Sequence, residues 1–367
     1  MKSRKNKMLE IYDFLKEAID NGEYKTGELL PTDMQIADKF GTSRPTVARA
    51  VQKLKDEGLI GRKAGYGTYV SQKAHANNIN EDAELTFGLL IPALGETEIF
   101  EPICGQIANL ADEFNFNLVW GGGGTVGNRD SNIAETLAQK YIAQRVDGVF
   151  FTPLELVDNA FEKNQNVIDM LSKANIPVVL LDNDFAKPPT RSDYDLIGID
   201  NIEAGFVMCN HLIEKGCKNI AFVTKPNVAN TVQLRIMGAL EAVNQAGDSV
   251  SLSIQSAEDE MQELAAAFKK NKKLDGVICY NDAAAANLIV ELDELGVDIP
   301  GDLKICAFDD VKYAKLIRTP LTTYHQPCRE IGTAAVDTML SRVRNPEDSA
   351  RRVLLKGDLI IRKSTKA

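Results

Sequence analysis

The chain has 367 residues, of which 44% are hydrophobic and 26% are charged, and its formal net charge at pH 7 is −10. This length predicts one small and one large domain, and the composition is that of an ordinary globular protein. No apolar run reaches transmembrane length and the N-terminus lacks a secretory signal, so we expect a cytoplasmic protein with no membrane partner.

The cysteines and histidines give no sign of a metal centre. The six cysteines form no CxxC pair and no His/Cys cluster, and there are only three histidines. We therefore expect buried, reduced thiols in a reducing compartment, with no disulfide and no metal site.

The charge is unevenly divided along the chain. Residues 1–70 contain 13 Lys and Arg against 10 Asp and Glu, a net charge of +3, which leaves −13 for residues 71–367. A basic N-terminal part concentrates the attraction for phosphate at one end, and the acidic remainder repels DNA elsewhere.

The basic part predicts three helices and a hairpin. Apolar residues recur at helical spacing over residues 8–21, and Thr32 with Gln35 forms a capping box for a second helix. Gly41 breaks the pattern, and Ser43 is expected to cap a third helix. That third helix has a buried stripe and ends at Gly58. Two short strands, residues 59–63 and 68–70, follow around a glycine-rich tip.

Two helices across a short turn, a basic outer face and a hairpin predict a winged helix-turn-helix that binds double-stranded DNA. The simpler alternative is a small helical domain whose arginines are only solvated charges. Basic residues beside the hairpin and ahead of the first helix favour DNA binding. The candidate DNA contacts are Thr32, Ser43, Arg44, Pro45, Thr46, Arg49, Lys53, Lys63, Gly65, Tyr66 and Gly67.

This segment resembles the GntR family of bacterial regulators. The family pattern is matched by Leu30-Pro31-Thr32-Asp33, Ile36-Ala37, Phe40-Gly41, Ser43-Arg44-Pro45-Thr46-Val47, Gly58-Leu59-Ile60 and Gly65-Tyr66-Gly67-Thr68-Tyr69-Val70. One position departs from the pattern. Many members carry a DNA-contacting arginine where this chain has Ala48, and Arg49 lies beside it.

Residues 71–84 are polar, with almost nothing to bury, and predict a linker that is mobile in the free protein. The expected organisation is a winged helix-turn-helix domain over residues 1–70, a linker over 71–85 and a second domain over 86–367.

The second domain alternates buried strands with amphipathic helices, which predicts an α/β fold with parallel sheets. The first unit has strands at 86–92, 118–120, 147–152 and 177–182, with helices at 102–114, 132–143 and 167–174. The pattern then restarts, with strands at 196–199, 220–224, 251–255, 276–280 and 304–308 and helices at 202–214, 233–246, 259–270 and 283–295. Two units of similar size predict two lobes with a cleft between them.

Ligands of such sheets bind beyond the carboxyl ends of the strands, and polar or aromatic residues follow these strands here. Aspartate, asparagine and arginine suit the vicinal hydroxyls of a sugar, and an aromatic ring suits its CH face. For Asp182 and Asp200 the alternative is a helix cap, and for Trp120 and Tyr280 it is core packing.

This part resembles the ligand-binding domain of LacI-family repressors, which shares its fold with periplasmic sugar-binding proteins. The matching stretches are residues 176–184, 198–223, 275–310 and 320–340 and the Arg235…Gly238 pair. The resemblance implies that Arg235, Asn281 and Asp309 point into the cleft, with Phe100 and Gln326 nearby. The full set of candidate effector contacts is Phe100, Asp182, Asp200, Arg235, Asn281, Asp309 and Gln326.

An enzyme is the alternative from another class. Gly122-Gly123-Gly124-Thr125-Val126-Gly127 matches GxGxxG, which would suit an NAD(P)-type oxidoreductase fused to a DNA-binding domain. That fingerprint belongs after the first strand of a unit, whereas this one follows the second, so a flexible glycine loop is favoured. P-loop, GxSxG and HExxH motifs are absent from the sequence, and we expect no catalysis and no cofactor.

Together these features predict a ligand-responsive transcriptional regulator similar to the arabinose-repressor subgroup of GntR regulators. We expect a homodimer on a near-palindromic operator, and repression that a small-molecule effector, a neutral sugar rather than a phosphorylated one, relieves.

Overall fold

The computed structural model describes residues 7–20, 24, 28–56, 59–63, 67–70, 84–92, 98–121, 132–155, 157–226, 228–257 and 261–366. The predicted linker up to residue 83, the glycine loop at 122–127, and Gly65 and Tyr66 lie outside these ranges. The chain divides into two compact units, Met1–Glu84 with Arg344–Pro346, and Leu85–Val343 with Glu347–Ala367. The finer domain limits of 1–70, 71–85 and 86–367 stay predictions.

The first unit contains the expected winged-helix elements. These are α1 (Lys7–Asp20), α2 (Asp33–Phe40), α3 (Arg44–Asp56), β1 (Ile60–Lys63) and β2 (Gly67–Val70). The two strands pair antiparallel. The core is the predicted stripe of α3, in which Val47, Ala50 and Leu54 are fully buried, packed with Ile11 and Leu15 of α1.

The turn between α2 and α3 follows from local chemistry. The Gln35 amide donates to Thr32 Oγ1 at 3.3 Å, and the Thr32 amide donates to Gln35 Oε1 at 2.8 Å, so both halves of the capping box are present. Gly41 ends α2 in the left-handed region, at φ 57°, which glycine adopts without strain. The Ser43 hydroxyl lies 3.0 Å from Thr46 Oγ1, and the Ser43 carbonyl accepts from the amides of Thr46 and Val47.

The second unit consists of two lobes, each with a six-stranded sheet. The first-lobe strands are β3 (Leu85–Leu90), β4 (Phe116–Trp120), β5 (Gly148–Phe151), β6 (Val178–Leu181), β7 (Asp195–Ile199) and β13 (Arg352–Leu355), in the order β13-β7-β6-β5-β3-β4. All neighbours in this sheet are parallel. The helices of this lobe are α4 (Phe100–Asn109), α5 (Ile133–Gln144), α6 (Ala160–Lys173) and α11 (Cys328–Arg344).

The second lobe repeats the design. Its strands are β8 (Asn219–Thr224), β9 (Ser251–Ser256), β10 (Gly276–Cys279), β11 (Lys304–Asp309), β12 (Thr322–His325) and β14 (Asp358–Ile360), in the order β14-β12-β11-β10-β8-β9. Only β14 runs antiparallel to its neighbour among these described pairs. Its helices are α7 (Asn201–Glu214), α8 (Asn230–Ala246), α9 (Met261–Lys270) and α10 (Asp282–Glu294), with short 3-10 helices at Lys312–Lys315 and Lys363–Thr365.

The lobes are not two consecutive halves of the chain, and this corrects the expected restart at residue 196. Strand β7 pairs with β6 in the first sheet, and α7 is the first element of the second lobe. After β12 the chain returns to the first lobe for α11 and β13, and β14 then completes the second sheet. A buried apolar run has the same appearance in either sheet, so alternation alone could not assign β7 to its lobe.

Two sets of buried contacts fix the packing within these lobes. Asp195 at the start of β7 has a fully buried side chain and accepts from Arg342 of α11, with Nε to Oδ2 at 2.8 Å and Nη2 to Oδ1 at 3.1 Å. In the second lobe α7 and α8 meet at glycines. A side-chain carbon on Gly205 would lie 1.9 Å from the Arg235 carbonyl oxygen, and one on Gly238 would lie 1.9 Å from that of Ile202. These two helices can therefore approach closely only through glycine.

The predicted α/β class, with a small winged-helix domain and a two-lobed parallel-sheet domain, is confirmed. All six cysteines are free thiols, four of them buried and two half-buried. Within the described ranges, no helix is long and apolar enough to cross a membrane.

Candidate functional site

The first candidate site is the outer face of α3 in the winged-helix unit. Ser43, Arg44, Pro45 and Arg49 are exposed, and Thr46 is half-buried beside them. Arg49 lies opposite the buried stripe, as its helical spacing predicts. The result is a solvated basic surface at the start of a helix, the geometry with which helix-turn-helix proteins enter the major groove.

Four other candidates from this unit lie outside that face. Thr32 is the N-cap of α2. The Lys53 ammonium lies 3.9 Å from the centroid of the Tyr12 ring, because Lys53 flanks the buried stripe and reaches α1. Lys63 ends β1 and Gly67 begins β2, so both belong to the wing.

The second candidate site is a cavity of about 360 Å³ lined by residues of both lobes, which we call the central cavity. Six of the seven predicted effector contacts line it: Phe100, Asp182, Arg235, Asn281, Asp309 and Gln326. Tyr280 also lines this cavity, whereas Trp120 is 55% exposed on the edge strand β4 and does not.

Asp200 is the seventh candidate, and its place is a correction. It is the N-cap of α7, and its Oδ1 accepts from the amides of Ile202 and Glu203 at 3.0 Å each. Its side chain is thus used by the backbone, and Asp200 is not among the residues that line the central cavity. Of the two roles expected from the sequence, the structure assigns the cap.

Arg235 is the most constrained side chain of the cavity. It is 4% exposed, its Nε donates to Asn201 Oδ1 at 2.9 Å, and its Nη1 donates to the Tyr280 carbonyl at 3.0 Å. The guanidinium carbon lies 4.4 Å from the centroid of the Phe308 ring, and Nη2 lies 4.0 Å from Asp309 Oδ1. These contacts orient the guanidinium fork in the free protein, so its direction is set before any ligand arrives.

Three carboxyl groups face this arginine. Burial raises the pKa of Asp182, and Arg235 opposes that rise. Desolvation raises the pKa of Asp309 to about 6, against the lowering influence of Arg235 and of the amide of Gln326, which donates to Asp309 Oδ1 at 2.8 Å. Desolvation, followed by repulsion from Asp182, raises the pKa of Glu155 to about 8. Acidic groups therefore outnumber basic groups around Arg235, and these carboxyl groups bind their protons more tightly than they do in water.

The cavity also contains acceptors without donors. Asp182 Oδ1 and Gln326 Oε1 are buried and make no hydrogen bond to any described residue. A buried polar atom of this kind costs free energy unless something donates to it. Hydroxyl groups are donors of the kind that these two atoms lack.

The start of α10 has one residue that lines the cavity, Asn281, and one buried structural residue, Asp282. Asn281 caps α10 by accepting from the Ala284 amide at 2.9 Å, and it lines the cavity at the same time. Asp282 is fully buried and accepts from Thr323 Oγ1 at 2.6 Å and from the Val311 amide at 3.0 Å. Desolvation raises its pKa to about 8, and its contacts make it a structural residue.

Sequence reasoning missed Glu155 and Lys225 of the cavity lining. Both follow the carboxyl ends of strands, β5 and β8, so the same rule that selected Asp182 could have found them. Among the described residues, no group of three His, Cys, Asp or Glu side chains is arranged to hold a metal ion.

A DNA-binding winged-helix unit and a two-lobed unit with a buried polar cavity define a class, the ligand-responsive DNA-binding regulators. The family models agree. The model for bacterial regulatory proteins of the gntR family matches residues 7–70, and the model for the periplasmic binding protein-like domain matches residues 209–365. The chain thus combines a GntR-type helix-turn-helix domain with a periplasmic-binding-protein-like domain, and it is a DNA-binding transcriptional regulator.

Curated relatives align with this chain over nearly their whole length. The chain is 25% identical over 370 residues to the arabinose metabolism transcriptional repressor of Geobacillus stearothermophilus, covering 98% of each chain. It is 25% identical to the HTH-type transcriptional repressor PurR of Photobacterium profundum, covering 92% of this chain and 99% of the relative. The oxidoreductase alternative finds no support in these comparisons.

Solved structures show the fold. The transcription regulator GntR from Chromobacterium violaceum is 25% identical with a TM-score of 0.60, over 76% of this chain and 99% of its own. The transcriptional regulator CelR, in complex with cellobiose, is 20% identical with a TM-score of 0.63, over 91% of this chain and 100% of its own.

Proposed function

We propose that the protein is a repressor that releases its operator when a neutral sugar binds in the central cavity. One observation carries this proposal: a buried, oriented arginine stands among carboxyl groups and beside two buried acceptors that lack donors. Vicinal hydroxyls can accept from the Arg235 fork and donate to Asp182 and Gln326. The ring of Phe100 offers an apolar face to the CH side of a sugar.

The charge of the cavity favours a neutral ligand over a phosphorylated one. Glu155, Asp182 and Asp309 line it, against the two cations Arg235 and Lys225. A phosphate group would add negative charge beside carboxyls that already have raised pKa values, which costs free energy in a desolvated site.

The relatives support a sugar as the effector. One is named for arabinose metabolism, and one structural neighbour is a complex with cellobiose. These names concern those proteins, and for this chain they support the chemical class that the cavity favours.

The DNA side of the proposal is a homodimer on a two-fold operator in the cytoplasm, without enzymatic activity. A single winged-helix unit presents one exposed α3 face, and a two-fold pair of such faces matches a near-palindromic site. Arg44, Thr46 and Arg49 would contact bases or phosphates from α3, and Lys63 with the wing would contact the backbone.

The test combines ligand screening with operator release. A thermal-shift panel of pentoses, hexoses, deoxysugars and their phosphates identifies the effector, since a ligand at 100 times its Kd stabilises the folded state by about 2.7 kcal/mol. A gel-shift titration then asks whether that ligand releases the operator. We expect release in the parent and no release in Asp309→Asn, which keeps its operator affinity.

Asp293→Asn is the matched control, because Asp293 is exposed and pairs with the exposed Arg318. It should respond to ligand like the parent. If Asp309→Asn responds at the same ligand concentration as the parent, the effector site is not the central cavity. Stronger DNA binding on addition of sugar would reverse the sign and make the protein ligand-activated for DNA binding.

A further inference from the structure

A second cavity opens beside the central one and has no part in the function argued so far. Its volume is about 950 Å³, and we call it the side cavity. It shares Glu155, Val228 and Ala229 with the central cavity, so the two spaces meet at these residues. Small-molecule sites span roughly 300–1,000 Å³, and the central cavity alone lies near the lower end of that range.

The boundary between the cavities is held by specific hydrogen bonds. Asn164 of α6 accepts from the Leu154 amide at 2.7 Å and donates to the Leu154 carbonyl at 3.0 Å, which fixes the backbone next to Glu155. Asn183 Nδ2 donates to Glu155 Oε1 at 2.6 Å. The shared carboxyl group is therefore positioned from two sides.

A second set of hydrogen bonds beside the side cavity joins the two lobes. Asn230 at the start of α8 donates through Nδ2 to the carbonyls of Asp184, at 2.7 Å, and Ala186, at 3.1 Å. These bonds hold the second lobe against the loop that follows β6 in the first lobe. Hydrogen bonds therefore hold lining residues of the side cavity in place on both lobes.

The lining has the chemistry of a carbohydrate surface. Phe161 is 48% exposed although it lines the cavity, and its ring centroid lies 6.0 Å from that of the buried Phe185. An exposed aromatic ring backed by a second ring offers a flat face to an apolar CH surface. The neighbouring amides are Asn159, whose side chain makes no cap bond to α6, and the exposed Gln233 of α8.

We propose that the side cavity is a second sugar subsite, so that the effector is a disaccharide or a larger glycoside. One ring occupies the central cavity between Phe100 and Arg235, and the next ring stacks on Phe161 with its hydroxyls on Asn159 and Gln233. This rests on the proposed sugar effector. The glycosidic bond passes Glu155, whose carboxyl group accepts a hydroxyl from either ring.

A third cavity, of about 870 Å³, shares Ile99, Asp309 and Gln326 with the central one. Two of its polar groups, Asp310 and His325, already pair within the protein. Asp310 accepts from Arg362 Nη2 at 2.5 Å and lies 3.1 Å from His325 Nδ1. The side cavity, with its exposed ring and amides, is therefore the better place for a second sugar.

The test is isothermal titration of the full chain with matched sugars: xylose and xylobiose, arabinose and arabinobiose, glucose and cellobiose. For the pair that binds, the disaccharide should bind roughly tenfold more tightly than its monosaccharide, the gain expected of one well-placed aromatic contact. Phe161→Ala should lose most of this gain and change monosaccharide affinity by less than about twofold.

Phe114→Ala is the matched control, since Phe114 is an exposed phenylalanine of the same lobe that lines none of the three cavities. It should change neither affinity. A monosaccharide that binds as tightly as its disaccharide, or an equal loss for both in Phe161→Ala, would overturn the subsite and leave the sugar effector standing. If neither this set nor any sugar of the thermal-shift panel binds, the sugar effector fails together with the subsite.

Discussion

The two candidate sites use arginine in opposite ways. Arg44 and Arg49 of the winged-helix unit are exposed, whereas Arg235 of the central cavity is 4% exposed and bonded to Asn201 and Tyr280. An exposed guanidinium stays hydrated until it displaces counterions from a DNA phosphate, so its charge is not desolvated in the free protein. A buried guanidinium must be satisfied inside the protein before any ligand arrives.

The sites also differ in how they are assembled. The α3 face comes from one helix and the turn before it, within a few consecutive residues. The central cavity takes residues from 99 to 326, from both lobes. A change in the α3 face should therefore act locally on DNA binding, and a change around the cavity should act on folding and ligand binding together.

The largest effect is expected for Arg235→Ala. Its removal leaves Asp182 and Asp309 without their cation in a buried place, which costs about 3–5 kcal/mol of unfolding free energy for a broken buried pair. The sugar response should be lost as well. Chemical denaturation and a sugar titration measure both quantities.

Arg318→Ala is the arginine control for that experiment. Arg318 is 81% exposed and pairs with Asp293 on the surface, so its loss should cost about 1 kcal/mol or less. Equal stability of the two variants would remove the contrast between buried and exposed arginines.

The next effect concerns the packing that positions Arg235. In Gly238→Ala the added methyl would lie 1.9 Å from the Ile202 carbonyl oxygen and must push α7 and α8 apart. We expect a loss of about 1–3 kcal/mol of unfolding free energy, with weaker sugar binding. Thermal unfolding with and without the sugar measures both.

Gly105→Ala provides the opposite sign. Gly105 lies in α4, and its added methyl would meet no atom within 4 Å. It should stabilise the protein by about 0.5–1 kcal/mol, because alanine restricts the unfolded chain and favours a helix. If Gly105→Ala also destabilises the protein, replacing a helical glycine by alanine is costly in itself. The cost at Gly238 could then not be assigned to the crossing of α7 and α8.

Arg44→Ala tests the other side of the comparison. Because Arg44 is exposed at the start of α3, its loss should leave the unfolding free energy nearly unchanged and cost about 1–3 kcal/mol of specific operator binding. Fluorescence anisotropy at matched salt, on operator and on random DNA, separates specific from general binding.

Two lysine variants provide comparisons for Arg44→Ala. Lys63→Ala should weaken binding to all sequences about equally, as a phosphate contact does. Lys53→Ala should act mainly on stability, since the Lys53 ammonium packs over Tyr12. Unchanged operator affinity in Arg44→Ala would mean that α3 does not dock as proposed.

The remaining expected effect is a dependence of stability on pH. Because the pKa of Glu155 rises from 4.5 to about 8 on folding, its protonated form is favoured in the folded protein. Its contribution to stability is therefore complete below about pH 4.5 and is lost as the pH rises toward 8. Asp309, with a pKa of about 6, acts in the same direction at lower pH.

Thermal unfolding between pH 5 and 8 should show a falling midpoint for the second unit and a flatter profile in Glu155→Gln. Glu113→Gln, at an exposed glutamate, should follow the parent profile. A Glu155→Gln profile as steep as that of the parent would place the titrating group elsewhere.

Local features were predictable in both units. The capping box of Thr32 and the turn at Gly41 depend on a few neighbouring residues, and so do most strand and helix positions. Some bounds moved in the folded protein. The helix expected at 167–174 is longer, as α6, Ala160–Lys173, and the one expected at 102–114 is shorter, as α4, Phe100–Asn109. Strands β12 to β14 and helix α11 were not identified as separate elements.

Local sequence patterns predicted the kinds of element, their alternation and the polar residues beyond the strands, because these follow from periodicity, capping and the chemistry of neighbouring residues. The folded structure was needed to show that β7 and β13 share a sheet, that Asp200 caps a helix, and that Glu155 joins Asp182 and Asp309 around Arg235. Each of these depends on segments far apart in the chain. Burial and pKa are set by what those distant segments bring to one place, and no local pattern contains that information.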